Sequence, residues 1–95
     1  MPRYFARVEL HDADSDDYDL LRKAMKEEGF SHCIKLKSGE TKKLPTGYFV
    51  ATLTEESVSE VAKGVKVRAD DTGCRNEIVV SESVGSSTFL SKSCN

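Results

Sequence analysis

Tyr4-Phe5-Ala6-Arg7-Val8-Glu9-Leu10 is the stretch of sequence that decides the fold. Apolar and mostly polar side chains alternate through it, with Tyr4, Ala6, Val8 and Leu10 on one side and Phe5, Arg7, Glu9 and then His11 on the other. This period of two predicts a β-strand with one buried face and one open face. Other elements of the chain must then cover the buried face.

The segment after this strand predicts a first helix. Asp14 or Ser15 can cap its amide groups, and the acidic residues that follow favour the positive end of the helix dipole. Tyr18, Leu21 and Met25 recur at helical spacing and form an apolar stripe. We expect the helix to end at Gly29, because a glycine is the usual residue at a helix C-terminus.

A second helix is predicted after Thr54 or Ser57, either of which can cap it. We expect it to continue to about Asp71. Gly64 lowers helix propensity by about 1 kcal/mol relative to alanine. Residues 65–68 also alternate as a strand does, which leaves an earlier end of the helix as the alternative.

Residues 30–36, 42–53 and 77–83 predict three more strands, and a turn at 38–40 joins the first two of them into a hairpin. The element order is then β-α-β-β-α-β. Right-handed crossovers give an α+β, ferredoxin-like sandwich whose four-stranded antiparallel sheet has the order 4-1-3-2. We expect one domain over 1–84 and a flexible tail over 85–95, in which Phe89 and Leu90 can dock.

Size and composition exclude several classes of protein. A chain of 95 residues has room for one domain. A net charge of −2 gives no overall basic field, and no apolar run or leader indicates a membrane span or secretion, so a cytoplasmic protein is expected. Cys33, Cys74 and Cys94 are odd in number and show no CxxC spacing, which predicts free thiols and neither a disulfide framework nor a zinc site. No metal and no cofactor are expected.

The open face of the first strand is the first candidate for function. Phe5 beside Arg7 can stack on a base and neutralise a phosphate, which predicts binding of single-stranded RNA. The alternative is that Phe5 packs in a dimer interface or under the C-terminal tail.

The end of the first strand gathers a histidine and carboxylates. Glu9, His11 and Asp12 are the candidate catalytic residues, with His11 as a general base toward an RNA 2′-hydroxyl. In a second arrangement, Asp12 and Asp14 are ligands of a magnesium ion. The alternative is that the acidic residues of this segment only stabilise the start of the first helix. The other histidine, His32, lies on the apolar side of the predicted strand 30–36 and is expected to be partly buried without a catalytic role.

Lysines cluster around the predicted hairpin turn. Lys35, Lys37, Lys42 and Lys43 are the candidate phosphate contacts. Lysines on an edge strand also prevent sheets from pairing with one another, and this explains the cluster equally well. The sequence contains no phosphate loop, no GxSxG elbow, no HExxH and no dinucleotide fingerprint.

Several of these stretches resemble one protein family. They are 5–13, then Tyr18, Leu21, 24–25 and 29–30, then Ile34, Gly39 and 44–46, and together they span about half of the chain. The family is the GhoS-like group of small bacterial and prophage proteins. This resemblance implies a ferredoxin-like, Cas2-like fold and an antitoxin of a type V toxin–antitoxin system, which cleaves the messenger RNA of a membrane toxin.

A second functional class is left open by the sequence. A noncatalytic protein-binding module, such as a phage-encoded modulator of a host protein, needs only an open sheet face and free edge strands. A homodimer is expected under both hypotheses, because small two-layer domains leave apolar surface uncovered. Convergence of Arg7, His11 and the hairpin lysines on one groove favours RNA, whereas dispersed positions favour the binding module.

Overall fold

The computed structural model of the chain describes residues 2–54, 57–83 and 89–94. Its elements are β1 (Arg3–Leu10), α1 (Ser15–Glu27), β2 (Cys33–Lys35), β3 (Thr41–Lys43), β4 (Tyr48–Thr52), α2 (Val58–Asp70) and β5 (Asn76–Ser83). The predicted α+β class, with two helices and antiparallel sheets, is confirmed. No helix of the described residues is long and apolar enough to cross a membrane.

β1 is the central strand of the main sheet, which has the order β4-β1-β5 with both pairings antiparallel. Its predicted buried side is confirmed, since Tyr4, Ala6, Val8 and Leu10 are all buried. They form one core with buried residues of the two helices: Leu21, Met25, Val61, Val65 and Ala69. The helices therefore cover one face of the main sheet.

Side-chain caps fix where both helices begin. Asp14 is the N-cap of α1, with a reciprocal capping box in which its carboxylate and that of Asp17 each accept a backbone N–H of the other residue. Ser57 caps α2 through the backbone N–H of Glu60 at 3.2 Å. Because α2 runs unbroken through Gly64 to Asp70, the strand alternative for residues 65–68 is wrong.

The predicted single sheet of order 4-1-3-2 is not what forms. β2 pairs with β3 in a separate two-stranded sheet, and β2 covers only three residues of the predicted 30–36. One isolated antiparallel bridge, Ser31 to Val50, joins the chain before β2 to β4. Backbone bonds of 2.8 and 2.9 Å make that bridge. Among the described residues, backbone pairing between the two sheets is thus limited to this bridge.

The predicted third strand is divided because of residues 44–47. Pro45 has no N–H to donate. Gly47 has a φ of 86°, at which every residue with a Cβ atom is strained. The Gly47 carbonyl accepts the Val8 N–H at 2.7 Å. A Cβ at Gly47 would lie 2.5 Å from the Val8 carbonyl oxygen, so this close approach to β1 requires glycine.

A second, smaller core lies on the face of the main sheet opposite the helices. Ile34, Leu44 and Val50 are buried in it, and Phe5, Leu36 and Leu90 pack against it half-buried. The C-terminal residues reach this core along β3, where the Lys43 N–H donates to the Lys92 carbonyl at 2.9 Å. Leu90 docks, as the sequence allowed, whereas Phe89 is 99% exposed. Residues 85–88 and 95 of the predicted tail lie outside the described residues.

The prediction of three free thiols is wrong for two of them. Cys33 and Cys94 form a disulfide, with Cα atoms 6.0 Å apart. They are 61 residues apart in sequence, so no local spacing indicated the pair. Cys74 is the one free cysteine of the described chain and packs, half-buried, against the main core.

Candidate functional site on the open sheet face

Pairing of β1 with β5 brings two carboxylates and a histidine together. Glu9 and Glu77 are direct partners in the register of the two strands. The His11 backbone N–H donates to the Arg75 carbonyl at 2.8 Å, and its imidazole Nε2 lies 3.7 Å from a Glu77 carboxylate oxygen. Side-chain donor atoms of Glu9, His11 and Glu77 all lie within 4.8 Å of one another. We call these three residues the Glu-His-Glu cluster.

An arginine and a tyrosine lie on the same sheet face as this cluster. Arg7 is in register with Tyr48 on β4, and its guanidinium carbon lies 5.6 Å from the centroid of the tyrosine ring. Arg7 also contacts Glu9, with 3.5 Å between Nη2 and the carboxylate. More than half of the Arg7 side chain and nearly half of the Glu9 side chain are exposed, so this ion pair adds little stability and both groups are accessible to a ligand.

A shallow groove of about 450 Å³ runs along the β1–β5 side of this face. Its lining is Arg7, Glu9, Glu77, Ile78 and Val79. The groove therefore presents one cation, two carboxylates and an apolar floor, with His11 at one end through its contact with Glu77.

The predicted RNA-contact residues do not all lie at this groove. Phe5 faces the smaller core and is half-buried there, which matches the alternative that it packs near the tail. Lys35 and Lys37 are exposed on the hairpin, and Lys42 pairs with Glu40 at 3.3 Å. Lys43 lines a different cavity together with residues 44–46 and 89–92.

Asp12, the third predicted catalytic residue, also stands apart from the cluster. It is exposed and has a φ of 53°, a left-handed conformation that aspartate tolerates in a turn. The acidic residues after it behave as the alternative expected, because Asp14 and Asp17 cap α1.

No protein-family model matches the chain, and no curated protein matches it. What the site can do is therefore argued from its own side chains. A carboxylate, an imidazole and a guanidinium on one open face can supply a general base, a general acid and a phosphate-binding cation.

Two residues of the site were missed by the sequence prediction. Glu77 was placed at the start of the fourth strand but not paired with Glu9, because the register between distant strands depends on tertiary packing. Tyr48 was placed within a strand, but the sequence did not show which face of the sheet it lies on. Its register with β1 depends on the break at residues 44–47, which the sequence prediction did not include. It is 39% exposed and is the aromatic ring next to Arg7.

His32 lies outside the Glu-His-Glu cluster, in a basic environment. Burial lowers the pKa of His32, and the charges of Arg22 and Lys43 lower it further. A groove of about 320 Å³ beside it is lined by Arg22, Lys23, Lys26 and Phe30. This positive field favours the neutral imidazole of His32.

Proposed function

We propose that the chain is an endoribonuclease that binds single-stranded RNA on the open face of the main sheet. The observation that carries the proposal is the Glu-His-Glu cluster beside Arg7. Acid, base and phosphate-binding groups are the ones that cleavage of RNA by its own 2′-hydroxyl requires, and such cleavage needs no metal.

In the proposed reaction Glu9 accepts the proton of the 2′-hydroxyl as the 2′-oxygen attacks the neighbouring phosphorus. The protonated imidazole of His11 gives its proton to the departing 5′-oxygen, which leaves a 2′,3′-cyclic phosphate and a 5′-hydroxyl. Glu77, with a carboxylate oxygen 3.7 Å from Nε2, positions the imidazole. Arg7 neutralises the phosphate, and Tyr48 offers a ring on which a base stacks.

The family resemblance supports this proposal from an independent direction. We propose that the fold is a variant of the ferredoxin-like sandwich. The predicted second strand, at the edge of the four-stranded sheet, is replaced in it by the β2–β3 hairpin, which the Ser31–Val50 bridge joins to β4. We further propose that the chain is a GhoS-like antitoxin that acts on messenger RNA in the cytoplasm.

Cleavage of labelled single-stranded transcripts tests the proposal. We expect His11→Ala to slow cleavage by about 10² to 10⁴-fold, the contribution of a general acid. Glu77→Gln, a change to a positioning residue, should slow cleavage by less than His11→Ala does. Glu82→Gln is the matched control, because this exposed glutamate lies on the same strand and pairs with Tyr4, on the opposite face.

Two results would count against this mechanism. Equal cleavage by wild type and His11→Ala would remove the histidine from the reaction. Loss of wild-type cleavage in a metal chelator would reassign the Glu-His-Glu cluster, whose donor atoms are close enough to hold a cation, from acid–base chemistry to metal binding.

A noncatalytic binding module is the second candidate function. The groove beside Arg7 is lined by none of the hairpin lysines, which is the dispersed arrangement that favours this class. Val79 and Tyr48 are 65% and 39% exposed on the open face, where they offer apolar area to a second copy of the chain or to a host protein. A Val79→Lys variant should then abolish the dimer or the complex in a solution mass measurement while leaving the fold intact.

A further inference from the structure

Two cysteines and a histidine meet at the hairpin, away from the proposed RNA site. One donor atom from each of His32, Cys33 and Cys94 lies within 4.8 Å of the other two, and all three residues are half-buried. We propose that, once the disulfide is reduced, these three residues form a binding site for a zinc ion. The proposal does not depend on the ribonuclease function.

Backbone hydrogen bonds hold the three ligands together without help from the disulfide. Cys33 is the register partner of Lys43 on β3, and the His32 carbonyl accepts the Leu44 N–H at 2.8 Å. On the tail side, the Cys94 N–H donates to the Thr41 carbonyl at 3.1 Å. When the S–S bond is opened, the backbone of both cysteines therefore remains hydrogen-bonded to β3.

The donor set fits zinc. Thiolate sulfur and imidazole nitrogen are its usual ligands, and two cysteines with one histidine leave the fourth tetrahedral position for water. Two thiolates carry two negative charges, which balance the charge of the zinc ion.

The chemistry balances in two steps. A cellular dithiol breaks the S–S bond, supplies two electrons and two protons, and becomes a disulfide itself. Zinc then displaces one proton from each of the two thiols as their sulfurs bind it. In the absence of zinc, a disulfide oxidant takes two electrons and two protons from the two thiols, becomes a dithiol itself, and restores the disulfide of the present structure.

Cobalt(II) titration of the reduced full chain tests the proposal, because cobalt takes zinc sites and gives a sulfur-to-metal absorption band. We expect one equivalent to bind in wild type and in the control Cys74→Ala, which removes the cysteine outside the cluster. Cys33→Ser and Cys94→Ser should lose the band. His32→Ala should weaken cobalt binding by at least about tenfold, since even changes to residues behind a metal ligand cost that much. Added zinc should displace the cobalt and so abolish the absorption band.

Circular dichroism of each variant separates loss of the site from loss of the fold. His32→Ala keeps both cysteines and so decides the question if a cysteine variant unfolds. No band in reduced, folded wild type, or a band that persists in both cysteine variants, would overturn the proposal. A reduced wild type that is unfolded and does not refold with cobalt would overturn it as well.

Discussion

Replacing the buried Gly47 by alanine should be among the most damaging single changes outside the two hydrophobic cores of this protein. An alanine with positive φ costs about 1–2 kcal/mol, partly offset by about 0.4–1 kcal/mol from the stiffer unfolded chain. Its Cβ would also lie 2.5 Å from the Val8 carbonyl oxygen, which is backbone in the central strand and has little room to move. Relief of that overlap separates β4 from β1 and breaks the 2.7 Å bond from the Val8 N–H, for a further ~1–3 kcal/mol.

The expected loss is therefore about 3 kcal/mol in the free energy of unfolding, or roughly 12 °C or more in melting temperature for a domain of this size. Gly39→Ala is the matched control. Gly39 has a similar φ of 90°, but an added Cβ would meet nothing within 4 Å, so only the conformational cost of about 1 kcal/mol or less remains. Urea denaturation followed by circular dichroism measures both. If the two variants lose the same stability, the close approach of Gly47 to β1 is not what divides the predicted third strand.

Other changes have expected outcomes of their own. Ser57→Ala removes the N-cap of α2 and should lower stability by about 1 kcal/mol in a urea titration. The pKa of His32 is lower in the fold than the value of about 6.5 in the unfolded chain. Its contribution to the free energy of unfolding is therefore complete above pH ~6.5 and is lost as the pH falls through the pKa of the folded state. His32→Gln should flatten this part of the profile of stability against pH. Arg68→Gln removes ion pairs from α2 to α1, so its stability deficit should shrink in about 1 M salt. Reduction of the Cys33–Cys94 disulfide should cost about 4 kcal/mol by loop entropy, seen as a lower urea midpoint.

The main core was predictable because local patterns determine it. Alternation in β1 and helical spacing in α1 each identify a buried face without knowledge of the rest of the chain. The caps at Asp14 and Ser57 were among the predicted candidates for the same reason, since a cap acts within three residues. Even Gly64, which lowers helix propensity, is overridden by the burial of Val61 and Val65 beside it.

Two of the features that the sequence did not predict depend on partners far apart in the chain. Glu77 joins His11 only through the register of β5 on β1, and Cys94 meets Cys33 only because the C-terminal residues return to β3. The division of the third strand has a local cause. The sequence predicted one strand over 42–53, whereas the turn that contains Pro45 and Gly47 ends β3 and redirects the chain into β4.

The disulfide also divides the molecule into two covalent parts that do not match its layers. Residues 33–94 become a closed ring that contains β4 and β5, the two outer strands of the main sheet, together with α2. β1 and α1 belong to the open segment before the ring, yet β1 is the strand between β4 and β5. In the oxidised protein the main sheet is therefore complete only when the open segment lies between two strands of the ring. A break in the chain just before β2 would yield two pieces, neither of which contains all three strands of the main sheet.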